Sequence, residues 1–205
     1  MFTNRRQAGK ELAEKLGEYK NKDSIVLALP RGGVLIGAEI AKALSAPLDV
    51  VISRKIGAPG APEFAVGAVG TSGEIIRNKE ANVDDEYLKI AAEREKKEII
   101  RREKIYHSTR GATEIKNKTV ILTDDGIATG LTIISAIAEV RAQKPKQIIL
   151  AIPVLPESSV EKFKKLSDKL IYLEAPRLFF AVGQFYEEFD QISDKEVVKI
   201  LSKFK

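Results

Sequence analysis

The residues best suited to chemistry lie in one stretch, from Val120 to Thr132. An apolar, β-prone run ends at two adjacent carboxylates, Asp124 and Asp125, and a Gly/Thr turn and a helical pattern follow. A buried strand that passes through a tight turn into a helix presents backbone N–H groups and the positive end of the helix dipole to that turn. Because such turns bind anions, the stretch predicts a phosphate site.

The two carboxylates constrain what else the ligand contains. Asp124 and Asp125 would repel a phosphate unless they bind another part of the same molecule. Carboxylates accept hydrogen bonds from neighbouring hydroxyl groups, and a sugar offers such a pair a few atoms away from its phosphate. The pattern therefore favours a ribose 5-phosphate group. The alternative is an ordinary strand-to-helix turn that carries two exposed aspartates.

This segment resembles the signature of the type I phosphoribosyltransferases, which bind phosphoribosyl diphosphate (PRPP). The shared pattern is an apolar strand followed by Asp-Asp-x-x-Ala-Thr-Gly-x-Thr, and such a long match is more specific than a short glycine motif. It is not a Walker A loop, because the Lys after the second Gly is missing. The resemblance implies that Asp124 and Asp125 are catalytic. It also implies that the 5′-phosphate is bound by Gly126, Ile127, Ala128, Thr129, Gly130, Leu131 and Thr132.

A second strand, turn and helix follow the same plan earlier in the chain. The predicted strand at 25–29 ends at Pro30-Arg31-Gly32-Gly33, and apolar residues at helical spacing follow. The resemblance implies that Arg31, Gly32 and Gly33 form the pyrophosphate-binding loop. It also implies a cis peptide bond between Pro30 and Arg31. The alternative for Arg31 is a solvated turn residue.

Two further cations, Arg54 and Lys55, follow the predicted strand at 48–52. Paired cations at the carboxyl end of a strand neutralise polyphosphate, and the resemblance implies that this pair contacts the diphosphate. The alternative is a solvated charge pair. The next segment, 57–63, is rich in Gly and Pro and predicts a flexible loop. The resemblance implies that this loop closes over the reaction centre. A hairpin is predicted at 64–76.

The rest of the chain gives weaker indications of function. Residues 84–106 predict a long charged helix, which we interpret as a solvated face rather than a nucleic-acid contact. His107 is the only histidine, and the pattern assigns it no role. The tail at 179–189 is the densest aromatic cluster, most of which we interpret as core. Tyr186 and Phe189 are candidates for the wall that stacks the acceptor base.

Strands alternating with helices predict an α/β fold, and the resemblance specifies a doubly wound, mostly parallel sheet with a small hood and a helical insertion. We expect a single domain over 1–205, with the flexible loop and helical insertion at about 57–115 and a C-terminal hood or tail at about 174–205. The 205 residues carry a net charge of +5 and no cysteine. No signal peptide or membrane span is evident, so a cytoplasmic protein is expected.

The resemblance implies an enzyme that transfers ribose 5-phosphate from PRPP to a nitrogenous base and releases diphosphate. Mg²⁺ would be carried by PRPP itself rather than by a protein metal cage, and a homodimer would be typical of the family. Ala128 replaces the Asp common in relatives that act on 6-oxopurines, which leaves adenine-like and orotate-like acceptors open. The main alternative is a PRPP- or nucleotide-sensing regulator that acts on RNA or a protein partner. A third is an unrelated doubly wound nucleotide-binding protein.

Overall fold

The computed structural model describes residues 1–108 and 111–204. The chain forms eight strands within this range. They are β1 (Ser24–Ala28), β2 (Leu48–Val50), β3 (Ser53–Ala58), β4 (Ala61–Gly70), β5 (Ile75–Arg77), β6 (Thr119–Thr123), β7 (Gln147–Val154) and β8 (Lys169–Glu174). The helices are α1 (Arg5–Glu14), α2 (Gly33–Leu44), α3 (Asp85–Tyr106), α4 (Leu131–Ala142), α5 (Val160–Leu166) and α6 (Asp194–Leu201). Short 3₁₀ turns lie at Gly17–Tyr19, Glu157–Ser159 and Val182–Phe185.

The central sheet has five parallel strands in the order β2-β1-β6-β7-β8. Successive residues of β1 face opposite sides. Val26 and Ala28 join the apolar cluster that contains α1 and α2, whereas Ile25 and Leu27 join the cluster that contains α4 and α5. Helices therefore cover both faces, which is why the inner strands are continuous apolar runs. The predicted doubly wound α/β fold is confirmed.

The strand order reverses direction at the centre of the sheet, between β1 and β6. From β1 the chain proceeds outward to β2, whereas from β6 it proceeds in the opposite direction through β7 and β8. The carboxyl ends of β1 and β6 therefore lie side by side at the switch point, where ligands bind in open α/β sheets. The two turns singled out in the sequence follow these two strands.

A separate antiparallel sheet, β3-β4-β5, fits the small hood that the resemblance implies, although it lies at 53–77 rather than in the C-terminal segment, about 174–205, where the hood was expected. Ala65 and Ala68 of β4 pack on Leu131 at the start of α4, and α3 also packs on this sheet. Two predictions need correction here. Arg54 and Lys55 lie within β3 of the hood rather than at the end of a parallel strand. Residues 57–63 form the end of the β3–β4 hairpin, with Gly60 at φ +73°, rather than an open loop.

The start of the chain pairs with the segment at 185–187. The Phe2 N–H donates to the Phe185 carbonyl at 2.8 Å, and the Glu187 N–H donates to the Phe2 carbonyl at 2.9 Å. This short parallel bridge between Phe2 and Tyr186 holds the start of α1 against the tail. The last helix, α6, begins with a capping box formed by Ser193 and Glu196. None of the helices in residues 1–108 and 111–204 has the length and hydropathy to cross a bilayer.

Candidate functional site

The turns after β1 and β6 are pressed directly against each other. A Cβ built on Gly32 would lie 1.9 Å from Asp125 Oδ2, and one on Gly33 would lie 2.8 Å from Asp124 Cα. Neither position has room for a side chain, which explains the two successive glycines. The peptide bond between Pro30 and Arg31 is cis, as predicted. The structure thus brings the two predicted loops into one site at the switch point.

The turn after β6 leads into α4 in the way that the anion-site prediction requires. Gly130 lies at the N-cap with φ +76°, and within the described chain no side chain caps this helix start. Ala128 and Thr129 are exposed, whereas the N–H of Ile127 donates to the Val154 carbonyl at 2.9 Å. The exposed part of the turn and the start of α4 can therefore receive an anion, but the Ile127 N–H is already used within the fold.

The surroundings of Asp124 and Asp125 disfavour the charged forms of both carboxylates. Burial and the neighbouring charge of Asp125 raise the pKa of Asp124 well above its usual range. Burial also raises the pKa of Asp125, although the guanidinium of Arg5 opposes this effect. Asp124 Oδ1 accepts a hydrogen bond from the Asp125 N–H at 2.8 Å. A cation or several hydroxyl donors at this point would favour the charged forms, because either would replace the hydration that burial removes.

Arg5 is a site residue that the sequence analysis missed. Its Nε donates to Asp125 Oδ2 at 2.7 Å, and its Nη1 donates to the Asp190 carbonyl at 2.9 Å. The side chains of Arg5 and Asp125 are 9% and 16% exposed, so this ion pair is largely withdrawn from water. The sequence holds no local signal for this role, since the two partners are 120 positions apart.

The aromatic tail also contacts the turn after β6. Tyr186 is 5% exposed, and its hydroxyl donates to the Asp125 carbonyl at 2.6 Å. The Phe189 ring stacks on Tyr186 with centroids 5.1 Å apart, and Arg5 Cζ lies 3.7 Å from the Phe189 centroid. The burial of Tyr186 does not favour its predicted role in stacking a base. Phe189 is 37% exposed and retains some free surface for that role.

The three predicted diphosphate cations lie in two places. Arg31 is half-buried in the turn after β1, and the next residue, Gly32, lies against Asp125. Arg54 and Lys55 are in the hood, where Arg54 pairs with Glu95 at 2.8 Å and Lys55 pairs with Glu63 at 2.7 Å. These two cations line a groove of about 410 Å³ along the β3–β4 hairpin. Contact with a diphosphate would require them to exchange these carboxylates for phosphate oxygens.

His107 lies outside this site and pairs with Asp49 of β2. Its Nε2 is 3.0 Å from Asp49 Oδ1, and the Thr113 N–H donates to Asp49 Oδ2 at 2.8 Å. Burial acts to raise the pKa of Asp49, but the hydrogen bonds from His107, Thr113 and Val50 outweigh it and lower the pKa to about 2. This arrangement ties the end of α3 to the edge of the central sheet.

Among residues 1–108 and 111–204, no group of three or more His, Cys, Asp or Glu side chains is arranged to hold a metal ion. The carboxylate oxygens of Asp124 and Asp125 are the hard donors that Mg²⁺ prefers, but both aspartates are engaged in hydrogen bonds within the protein.

Comparisons with known proteins agree with this geometry. A protein from Thermus thermophilus, TT1426, shares 38% identity over 99% of this chain and 98% of its own, with a TM-score of 0.83. A hypoxanthine-guanine phosphoribosyl transferase from L. donovani shares the fold, with a TM-score of 0.50 and 15% identity over 87% of this chain and 83% of its own.

A curated relative is the Mycobacterium tuberculosis H37Rv protein named "Putative phosphoribosyl transferase Rv0571c". It is 38% identical over 99% of this chain, which spans about half (47%) of that relative's length. The family model described as "Phosphoribosyl transferase domain" matches residues 3–188, a range that includes Arg5, both turns and the hood. With the paired turns at the switch point, these similarities establish that the chain belongs to the phosphoribosyl transferase domain family.

Proposed function

We propose that this protein transfers ribose 5-phosphate from PRPP to a nitrogenous base and releases diphosphate. The observation that carries the proposal is the contact between the aspartate pair, Asp124 and Asp125, and the glycine pair, Gly32 and Gly33. One turn offers carboxylates for the ribose hydroxyls and a helix start for the 5′-phosphate. The other offers backbone groups and Arg31 for the diphosphate, so the carbon that reacts would be held between them.

The proposed reaction displaces diphosphate at the anomeric carbon. Breaking the bond between this carbon and the diphosphate oxygen builds positive charge on the ribose ring, and a ring nitrogen of the acceptor forms the new bond. Asp124 and Asp125 fix the two hydroxyls and place negative potential beside that charge. The start of α4 and the residues from Ala128 to Thr132 hold the 5′-phosphate, while Arg31 faces the leaving group. No covalent intermediate with the protein is needed.

We also propose that Mg²⁺ enters as part of the substrate. Diphosphate oxygens and ribose hydroxyls are hard donors that bind Mg²⁺ without a protein cage, and the ion neutralises the leaving group when bound. The hydrogen bonds of Asp124 and Asp125 within the protein support this division, because their carboxylates are already oriented as acceptors. Arg54 and Lys55 are proposed to reach the diphosphate when the hood hairpin moves toward the turns.

The proposal is tested by incubating the protein with PRPP and Mg²⁺ against a panel of purine and pyrimidine bases, with diphosphate release as the readout. We expect release that depends on one base, and its loss in Asp124→Asn. A lack of release with every base, together with measurable PRPP binding, would favour a sensor instead. The basic run on α3 gives that alternative little support, because Arg101 and Arg102 both pair with Glu98.

A further inference from the structure

The Arg5 side chain makes contacts with three separate parts of the site. Its Nε binds the Asp125 carboxylate, its Nη1 binds the Asp190 carbonyl, and its guanidinium carbon lies 3.7 Å from the centroid of Phe189. A Cβ on Gly32 would approach Arg5 Nε to 2.8 Å, so the guanidinium also lies against the turn after β1. One cation therefore joins α1, both ligand turns and the tail.

These contacts are unlike those of a surface ion pair. Arg6, the next residue in the helix, pairs with Glu39 at 2.9 Å while its side chain is 53% exposed, as is usual for pairs that contribute little. The side chain of Arg5 is 9% exposed, and its planar fork is divided between a carboxylate and a carbonyl. Because both donors are occupied in fixed directions, the carboxylate that accepts from Nε is also fixed.

We propose that Arg5 is a positioning residue for Asp125, which fixes the direction of its carboxylate and supplies the positive charge beside it, so that the free oxygen accepts from a ribose hydroxyl. This inference rests on the proposed function. It adds a requirement that the signature itself does not contain, namely a cation that α1 supplies from 120 positions away in the sequence. It also gives the bridge between Phe2 and Tyr186 a purpose, since that bridge brings α1 to the site.

Three groups face Asp125, and their charges determine how its pKa responds to the loss of Arg5. The groups that face it are Arg5 from α1, Asp124 from its own turn and the Tyr186 hydroxyl from the tail, which donates to its carbonyl. Among these three groups, only Arg5 is a cation. Burial raises the pKa of Asp125 and Arg5 lowers it, so loss of the guanidinium moves the pKa further upward. Protonation turns one carboxylate oxygen of Asp125 into an O–H donor and leaves a weaker acceptor for the ribose hydroxyl.

The experiment measures PRPP affinity by titration calorimetry, with Mg²⁺ present, between about pH 6 and pH 9. The PRPP affinity of each variant is divided by that of the wild type at the same pH. This ratio cancels the effect of the titration of the PRPP phosphates. Arg5→Gln keeps a donor but removes the charge, and we expect it to bind about tenfold or more weakly near pH 6 and to recover as pH rises. Arg5→Lys keeps the charge, and we expect a constant ratio. Arg6→Met is the matched control and should match wild type.

A purely structural role for Arg5 would weaken binding by the same ratio at every pH. A constant ratio for Arg5→Gln, or an unchanged affinity, would therefore overturn the inference while leaving the proposed function intact. Failure of the wild-type protein to bind PRPP would instead overturn the proposed function, and this inference with it. If Arg5→Gln does not fold, Arg5→Met provides the second neutral variant, with the same expected pH dependence.

Discussion

Asp124 lies directly against Gly33, so that a Cβ on this glycine would stand 2.8 Å from Asp124 Cα and 2.9 Å from its Oδ1. The nearest atom belongs to the backbone and cannot rotate away, so an added methyl group must push the two turns apart. Both of the proposed ligand turns depend on this close approach. The glycine is therefore required by the neighbouring turn rather than by its own backbone conformation.

Gly33→Ala is the direct test of this contact. We expect the free energy of unfolding to fall by about 1–3 kcal/mol, as in other overpacked sites, and PRPP affinity to fall at least about tenfold. Chemical denaturation and titration calorimetry measure the two effects. The matched control is Gly17→Ala, since a Cβ on Gly17 meets no atom within 4 Å. Equal behaviour of the two variants would refute the contact.

The sequence and the structure predict different losses of stability for Asp125→Ala. As an exposed turn residue, Asp125 would contribute less than about 1 kcal/mol to stability. The structure pairs it with a buried Arg5, so its removal leaves a cation without its partner, and we expect a loss of about 2 kcal/mol.

Urea unfolding of Asp125→Ala, Arg5→Gln and the double variant measures this coupling. The double variant should be less destabilised than the sum of the two single variants, because each single change already breaks the pair. Additive losses would show that the two side chains do not interact in solution. Asp23→Ala provides a control for an exposed ion pair. The Asp23 side chain is 78% exposed, and its Oδ1 lies 3.9 Å from Lys118 Nζ.

The contrast between Asp125 and Arg5 shows what sequence reasoning could reach. The strand before Asp125 and the Gly/Thr turn after it follow from local apolar and glycine patterns, whereas the doubly wound sheet and the pyrophosphate-binding loop were implied by the family resemblance. Arg5 had no such signal, because its role arises from a contact with a residue 120 positions away in the sequence. Local patterns likewise placed Arg54 after a buried strand, whereas tertiary pairing with Val69 makes it part of the hood.

Asp49 should make the stability of the protein depend on acid pH. Its folded pKa of about 2 lies below the ordinary value of 3.8, so the ionised group stabilises the fold above pH 3.8 and loses that contribution as pH falls toward 2. The shift corresponds to roughly 2 kcal/mol. Unfolding free energies measured across this range should decline for wild type and less steeply for Asp49→Asn. Asp23→Asn is the exposed control, and an equal slope in Asp49→Asn and wild type would contradict the assignment.

Tyr186→Phe distinguishes support of the turn from stacking of a base. The change keeps the ring but removes the hydroxyl that donates to the Asp125 carbonyl, so we expect about 1 kcal/mol less stability and weaker binding of ribose 5-phosphate. A role in stacking alone predicts no change. Tyr87→Phe removes a similar bond, 2.8 Å to the Gly57 carbonyl in the hood, and should leave ribose 5-phosphate binding unchanged. Titration calorimetry of both variants measures the difference.

Arg31 and Lys55 can be assigned to the diphosphate by comparing two ligands. PRPP carries the diphosphate and ribose 5-phosphate does not. Arg31→Gln and Lys55→Gln should therefore weaken the binding of PRPP and leave the binding of ribose 5-phosphate unchanged. We expect a loss of about tenfold for each charge-assisted contact removed. Arg141→Gln is the control, since Arg141 pairs with Asp168 at the far end of α4, 2.8 Å away. Equal weakening for both ligands would place the cation at the 5′-phosphate. An unchanged PRPP affinity in Lys55→Gln would mean that Lys55 remains with Glu63 and that the hood does not close over the diphosphate.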